Sequence, residues 1–68
     1  MIELIFVVEE DPEGGYAAKA LGESIYTHGE NLEELHKNVR YAVSCHFDEG
    51  QGPSMVRLHF VKEEILAL

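Results

Sequence analysis

Asp11-Pro12-Glu13-Gly14-Gly15-Tyr16 lies between an apolar run over residues 2–8 and a short segment over residues 16–21. It reads as a tight acidic turn joining two antiparallel strands. Pro12 pre-sets φ for the first turn position, and Gly14-Gly15 tolerate the positive φ that tight hairpins demand. Further along, Gly29-Glu30-Asn31-Leu32-Glu33-Glu34-Leu35 reads as the start of a helix. A strand, an acidic turn, a strand, a shorter strand and a capped helix in so few residues leave little freedom in the fold.

Outward from the turn, a first strand is expected over residues 3–9, with Leu4, Phe6 and Val8 on one face and Ile5 and Val7 on the other. A strand in a sheet with one solvated face alternates apolar with polar. This one is apolar on both sides, yet the chain offers one long helix to cover them, which points to a second subunit. The second strand, residues 16–21, carries the small residues Ala17, Ala18 and Ala20, which allow close packing. Gly22 breaks it, and residues 24–28 with Ile25, Tyr26 and Thr27 read as a third short strand.

The helix is predicted over residues 32–49. Asn31 suits the N-cap and Glu34 follows three residues later, the spacing of a capping box. Glu33 and Glu34 also occupy the first turn, where the helix dipole favours anions. Leu32, Leu35, Val39, Ala42, Val43, His46 and Phe47 recur at three- and four-residue steps as one apolar stripe. His36, Lys37, Arg40, Ser44 and Asp48 fall mostly opposite, and Gly50, Gly52 and Pro53 stop the helix. After the stop, Val56, Leu58 and Phe60 alternate with Arg57 and His59, a fourth strand running to Lys62. Residues 63–68 are expected to extend that strand or add a helical turn. The order β-β-β-α-β gives a single domain over residues 1–68. Its fold class is α+β, a two-layer sandwich of one antiparallel sheet with the helix across one face. Leu4 or Ile5, Phe6, Leu35, Val39, Val43, Phe47, Val56, Leu58 and Phe60 are expected to dominate the core.

Composition narrows the function. A chain of 68 residues buries only about 60% of the surface its unfolded form exposes. Cys45 is the single cysteine, so neither a disulfide framework nor a metal finger supplies the missing stability. Oligomerisation is the expected substitute. Thirteen Asp and Glu against five Lys and Arg give a formal charge of −8. Nucleic acids and anionic membranes are bound chiefly through Lys and Arg, so this balance argues against both. It favours a basic partner, whose opposite field speeds encounter, although acidic charge also serves plain solubility. With no long apolar run, no secretory-type opening and a lone thiol, a soluble cytoplasmic protein is expected.

At this point the two motifs resemble a known family. Val7-Val8-Glu9-Glu10-Asp11-Pro12-Glu13-Gly14-Gly15-Tyr16 followed by Gly29-Glu30-Asn31-Leu32-Glu33-Glu34-Leu35 is similar to the N-terminal domain of HicB-like antitoxins. The likeness covers residues 3–48. It implies a partial ribonuclease-H-like, double-stranded-RNA-binding-domain-like α+β fold, assembly into dimers or tetramers, and binding of a small basic RNA-cleaving toxin, HicA. The chain departs from the family at Ala20-Leu21-Gly22-Glu23-Ser24, where the proline-rich stretch between the second and third strands is usually found. No DNA-binding module follows in these 68 residues, so no operator binding is expected.

Catalytic and metal readings are weaker. His36 and His46 stand ten apart on the helix, about 15 Å of rise, too far to share an ion. His46 lies on the apolar stripe, where a histidine is more often a packed side chain. Cys45 and His46 are helix neighbours whose side chains diverge, so they form no nucleophile pair. Glu9, Glu10, Asp11 and Glu13 crowd one turn, whereas ribonuclease-H-type chemistry converges carboxylates from several elements on metal. Gly14-Gly15 lacks the helix and lysine of a phosphate loop. No cofactor, metal or catalytic set is therefore expected, and the chain reads as non-enzymatic. The expected partner-binding residues are Glu10, Asp11, Glu13, Glu33 and Glu34. The alternative is an accessory or ligand-sensing subunit of a metabolic enzyme or complex, with a pocket between protomers.

Overall fold

In the computed structural model, which describes residues 2–68, the acidic turn closes on its own backbone. The Asp11 N–H donates to the Gly15 carbonyl and the Gly14 N–H to the Asp11 carbonyl, both at 2.9 Å. Asp11 Oδ1 accepts the Glu13 N–H at 2.9 Å, the side chain mimicking a backbone turn. Gly14 and Gly15 take φ of 107° and 84°. The turn joins β1 (Glu3–Glu10) to β2 (Tyr16–Ala20) in antiparallel register, Glu10 facing Tyr16 and Phe6 facing Ala20. β3 (Tyr26–Gly29) pairs antiparallel with β2, Tyr16 facing Gly29.

The helix α1 (Leu32–His46) begins as its capping residues dictate. Asn31 Oδ1 accepts the Glu34 N–H at 2.8 Å, satisfying an orphan donor of the first turn, and Glu34 Oε1 reaches past the N-cap to accept the Glu30 N–H at 3.3 Å. α1 ends three residues earlier than the glycines suggest. Phe47 takes an extended backbone, with its N–H still bonded to the Val43 carbonyl at 3.2 Å. Its half-buried ring packs against the core and edge-on to His46, with centroids 4.9 Å apart. Packing of one aromatic side chain, ahead of Gly50, sets the helix stop.

β4 (Met55–Val61) pairs with β1, completing a four-stranded sheet of order β3-β2-β1-β4. That pairing is parallel, Leu4 facing Val56 and Val8 facing Phe60, so the sheet is mixed and not antiparallel throughout. The helix is the cause. It returns the chain to the end of the sheet from which β3 set out, and a strand entered after such a crossover runs parallel to its predecessor. The α+β two-layer architecture stands with this one strand reversed.

Leu4, Phe6 and Val8 of β1, Ala18 and Ala20 of β2, Ile25, and Leu35 and Val39 of α1 form the buried core. Ala42, Val43, Phe47, Val56 and Leu58 pack half-buried at its edge. Phe60, expected inside, is 46% exposed and meets Tyr16 edge-on, with ring centroids 6.1 Å apart. α1 lies over β3 and β2, whereas β4 pairs with β1 at the far edge of the sheet. An α-helix is about 10 Å across, whereas four strands span roughly 19 Å, so one helix cannot roof the whole sheet. Leu32 and His46, also placed on the stripe, are exposed at the two ends of the helix. Beyond Val61, residues 62–68 adopt neither a strand extension nor a helical turn and are exposed throughout.

Candidate functional site

Strand register brings the two acidic motifs together. Tyr16 faces Glu10 on one side and Gly29 on the other, so the hairpin and the start of α1 share one end of the sheet. Two glycines make that approach possible. A methyl group on Gly15 would lie 2.7 Å from the Gly29 carbonyl oxygen. One on Gly29 would overlap the Leu35 backbone nitrogen and lie 2.7 Å from Leu35 Cα. No larger residue fits between β3 and the first turn of the helix.

All five expected binding residues, Glu10, Asp11, Glu13, Glu33 and Glu34, therefore fall at this end, but in two kinds. The carboxylates of Asp11 and Glu34 are engaged by backbone N–H groups and hold the turn and the cap. Those of Glu10, Glu13 and Glu33 carry no hydrogen bond or ion pair among the described residues, although all three residues are exposed. Glu9 and Glu30 add to the same negative surface. The patch is a protruding tip, suited to meeting cationic side chains and ill suited to enclosing a substrate.

The remaining polar groups disperse. His28 on β3 and His59 on β4 share the sheet face away from the helix, on opposite edge strands about 14 Å apart. His46 Nε2 lies 3.2 Å from Glu23 Oε2, tying the end of α1 to the β2–β3 loop. Cys45 is exposed one turn after Tyr41, whose phenol pKa is raised chiefly by hydrogen bonding to the Cys45 thiol. Among the described residues no group of three His, Cys, Asp or Glu side chains stands close enough to hold a metal ion. Arg57 grips Glu3 through Nε and Nη2, each 3.0 Å from a carboxylate oxygen. That bidentate contact holds the Glu3 carboxyl below its ordinary value and raises the guanidinium.

One site escaped sequence reasoning. A groove of about 760 Å³ opens between the flank of α1 and β4, floored by Val43, Phe47, Val56 and Leu58. His36 and Arg40 rim it on the helix, Asp48 and Glu49 on the loop after it. The signal was the mismatch between one helix and four strands, legible only once β4 is known to lie at the far edge.

A mixed four-stranded sheet under one helix, with an acidic tip and an unroofed edge strand, defines a small α+β domain. A protein from Thermotoga maritima named "UPF0150 protein" is 42% identical over 66 residues, 97% of this chain and 93% of its own length. Another of that name, from Archaeoglobus fulgidus, is 52% identical over 52 residues, 76% of this chain and 77% of its own. The chain belongs to the UPF0150 family. No family model matches the chain, and no solved structure matches it either. Among the described residues no helix is long and apolar enough to cross a membrane.

Proposed function

We propose that the chain is a non-enzymatic, self-associating interaction domain of the HicB-antitoxin type, acting in the cytoplasm, whose acidic tip covers a small basic protein such as a toxin ribonuclease. The observation that carries the reading is the convergence of the hairpin and helix-start carboxylates at one end of the sheet, with Glu10, Glu13 and Glu33 unpaired. The net charge of −8 supports it, since a field of one sign steers an oppositely charged partner and repels wrong ones. The motif resemblance over residues 3–48 supplies the partner class. Co-expression with a small basic protein encoded beside the chain, followed by a ribonuclease assay with and without the chain, tests it. Co-purification and loss of ribonuclease activity are expected. A neighbour that neither binds nor is inhibited removes the antitoxin reading.

The second reading, an accessory or ligand-sensing subunit, draws on the groove between α1 and β4, whose volume suits a small molecule. A ligand retained there through purification, detectable by native mass spectrometry, would favour it.

A further inference from the structure

We infer that residues 62–68 of one copy seat in the groove between α1 and β4 of a second copy, reciprocally, so that each protomer roofs the strand its own helix leaves bare. The inference rests on the self-association proposed above and names the surface that performs it.

Residues 62–68 leave the body of the molecule. The radius of gyration is 13.3 Å, whereas a compact chain of this length has about 11 Å. The longest dimension is 51 Å against 20 and 17 Å for the other two. Ile65 and Leu66 on this projecting arm are 94% and 75% exposed. Transfer of two such side chains out of water is favourable, so an arm of this composition gains from a cover. The groove is the complement: half-buried Val43, Phe47, Val56 and Leu58 line a trough open on its outer side.

The arm cannot easily reach its own groove. Val61 faces Glu9, so the arm exits at the acidic end of the sheet, whereas the groove opens toward Pro53 and Met55 at the other. Folding back would need a reverse turn across Lys62-Glu63-Glu64, which holds none of the turn-forming residues. Seven extended residues reach about 23 Å, roughly the length of β4 itself. Two copies with strands running oppositely and offset along the strand axis place each arm along the other's groove. A two-fold interface of this kind is isologous, one contact made twice. Charges agree as well: Glu63 and Glu64 match His36 and Arg40 on the rim, and Arg40 has no ion pair among the described residues.

The test combines light scattering with intermolecular paramagnetic NMR on the full chain. One copy, ¹⁵N-labelled and carrying Cys45→Ser, is mixed with an unlabelled copy carrying Cys45→Ser and Leu68→Cys tagged with a nitroxide. A mass of at least twice 7.7 kDa is expected, with broadening of the labelled amides near Val43, Phe47, Val56 and Leu58. The double substitution Ile65→Asp and Leu66→Asp, outside the core and so compatible with an unchanged circular dichroism spectrum, is expected to return a 7.7 kDa monomer. Oligomeric mass retained by that variant, or broadening confined to Ile5, Val7, Leu21 and Tyr26 on the opposite sheet face, overturns the docking while leaving self-association intact. A native chain that scatters as a monomer overturns both.

Discussion

At the scale of single residues, the tightest position is Gly29, where the β3 backbone meets the first turn of α1 with no space for a methyl group. Gly29→Ala must either push the helix off the sheet or distort its first turn. Forced overpacking of this kind costs typically about 1–3 kcal/mol. Urea unfolding is expected to show a lower midpoint at unchanged slope. Asp11 and Glu34 teach a related lesson, since carboxylates that look equivalent in composition divide by whether a backbone N–H already holds them. Glu3 supplies a pH dependence. Its carboxyl is depressed below 4.5, first by the hydrogen bond from Arg57. A group depressed in the folded state stabilises fully above its unfolded value and loses that contribution as pH falls through the lower folded value. Glu3→Gln is therefore expected to lower the melting temperature slightly at neutral pH. As pH falls through the lowered Glu3 value the difference from the native chain should close, which thermal melts across acid pH would show.

At the scale of elements, α1 is where sequence and structure agree most closely. Asn31, Glu34 and the Leu35–Val39 spacing are local signals, and local hydrogen bonds realise them without help from the rest of the chain. Asn31→Ala is expected to cost about 1 kcal/mol, the usual value of a lost N-cap, read from the same urea titrations. Val39→Ala, at a position 3% exposed, should cost on the order of 1–3 kcal/mol through lost burial and the cavity left behind. The strands were less legible. Alternation in residues 55–61 states which side chains share a face and nothing about direction; the parallel direction follows instead from the helix that precedes β4, because a helical crossover returns the chain parallel. Phe60 was over-read, its apolar phase being right and its cover absent. Ala18, Ala20 and Ile25 were under-read because small or isolated side chains leave a weak periodic signature, although the sheet buries all three.

At the scale of the whole molecule, charge and apolar surface are segregated. The acidic tip stands at one end, the unroofed groove toward the other. The tip was legible as composition and spacing, whereas the groove required the strand order, a non-local property. Substituting Glu10→Lys and Glu13→Lys, which leaves the Asp11 turn bond in place, should slow association with a basic partner. Folding stability should change by less than about 1 kcal/mol, because exposed charges contribute little. Stopped-flow association at increasing salt checks the assignment: the native rate should fall steeply as ionic strength screens the tip, and the reversed variant should lose that dependence.

The union of β1 with β4 has a further consequence, for the order in which the molecule assembles. The hairpin between β1 and β2 closes across a handful of residues, while Glu3 and Arg57 meet across 54. Closure entropy rises with loop length, and parallel pairing between remote segments is intrinsically slow. During folding, β1 therefore waits with one edge open after its hairpin has formed. Until β4 arrives, Leu4, Phe6 and Val8 sit on a strand able to recruit the wrong neighbour, and a β4 from another chain is chemically indistinguishable from its own. Refolding yield should fall as protein concentration rises, because the vacancy is filled by whichever copy reaches it first.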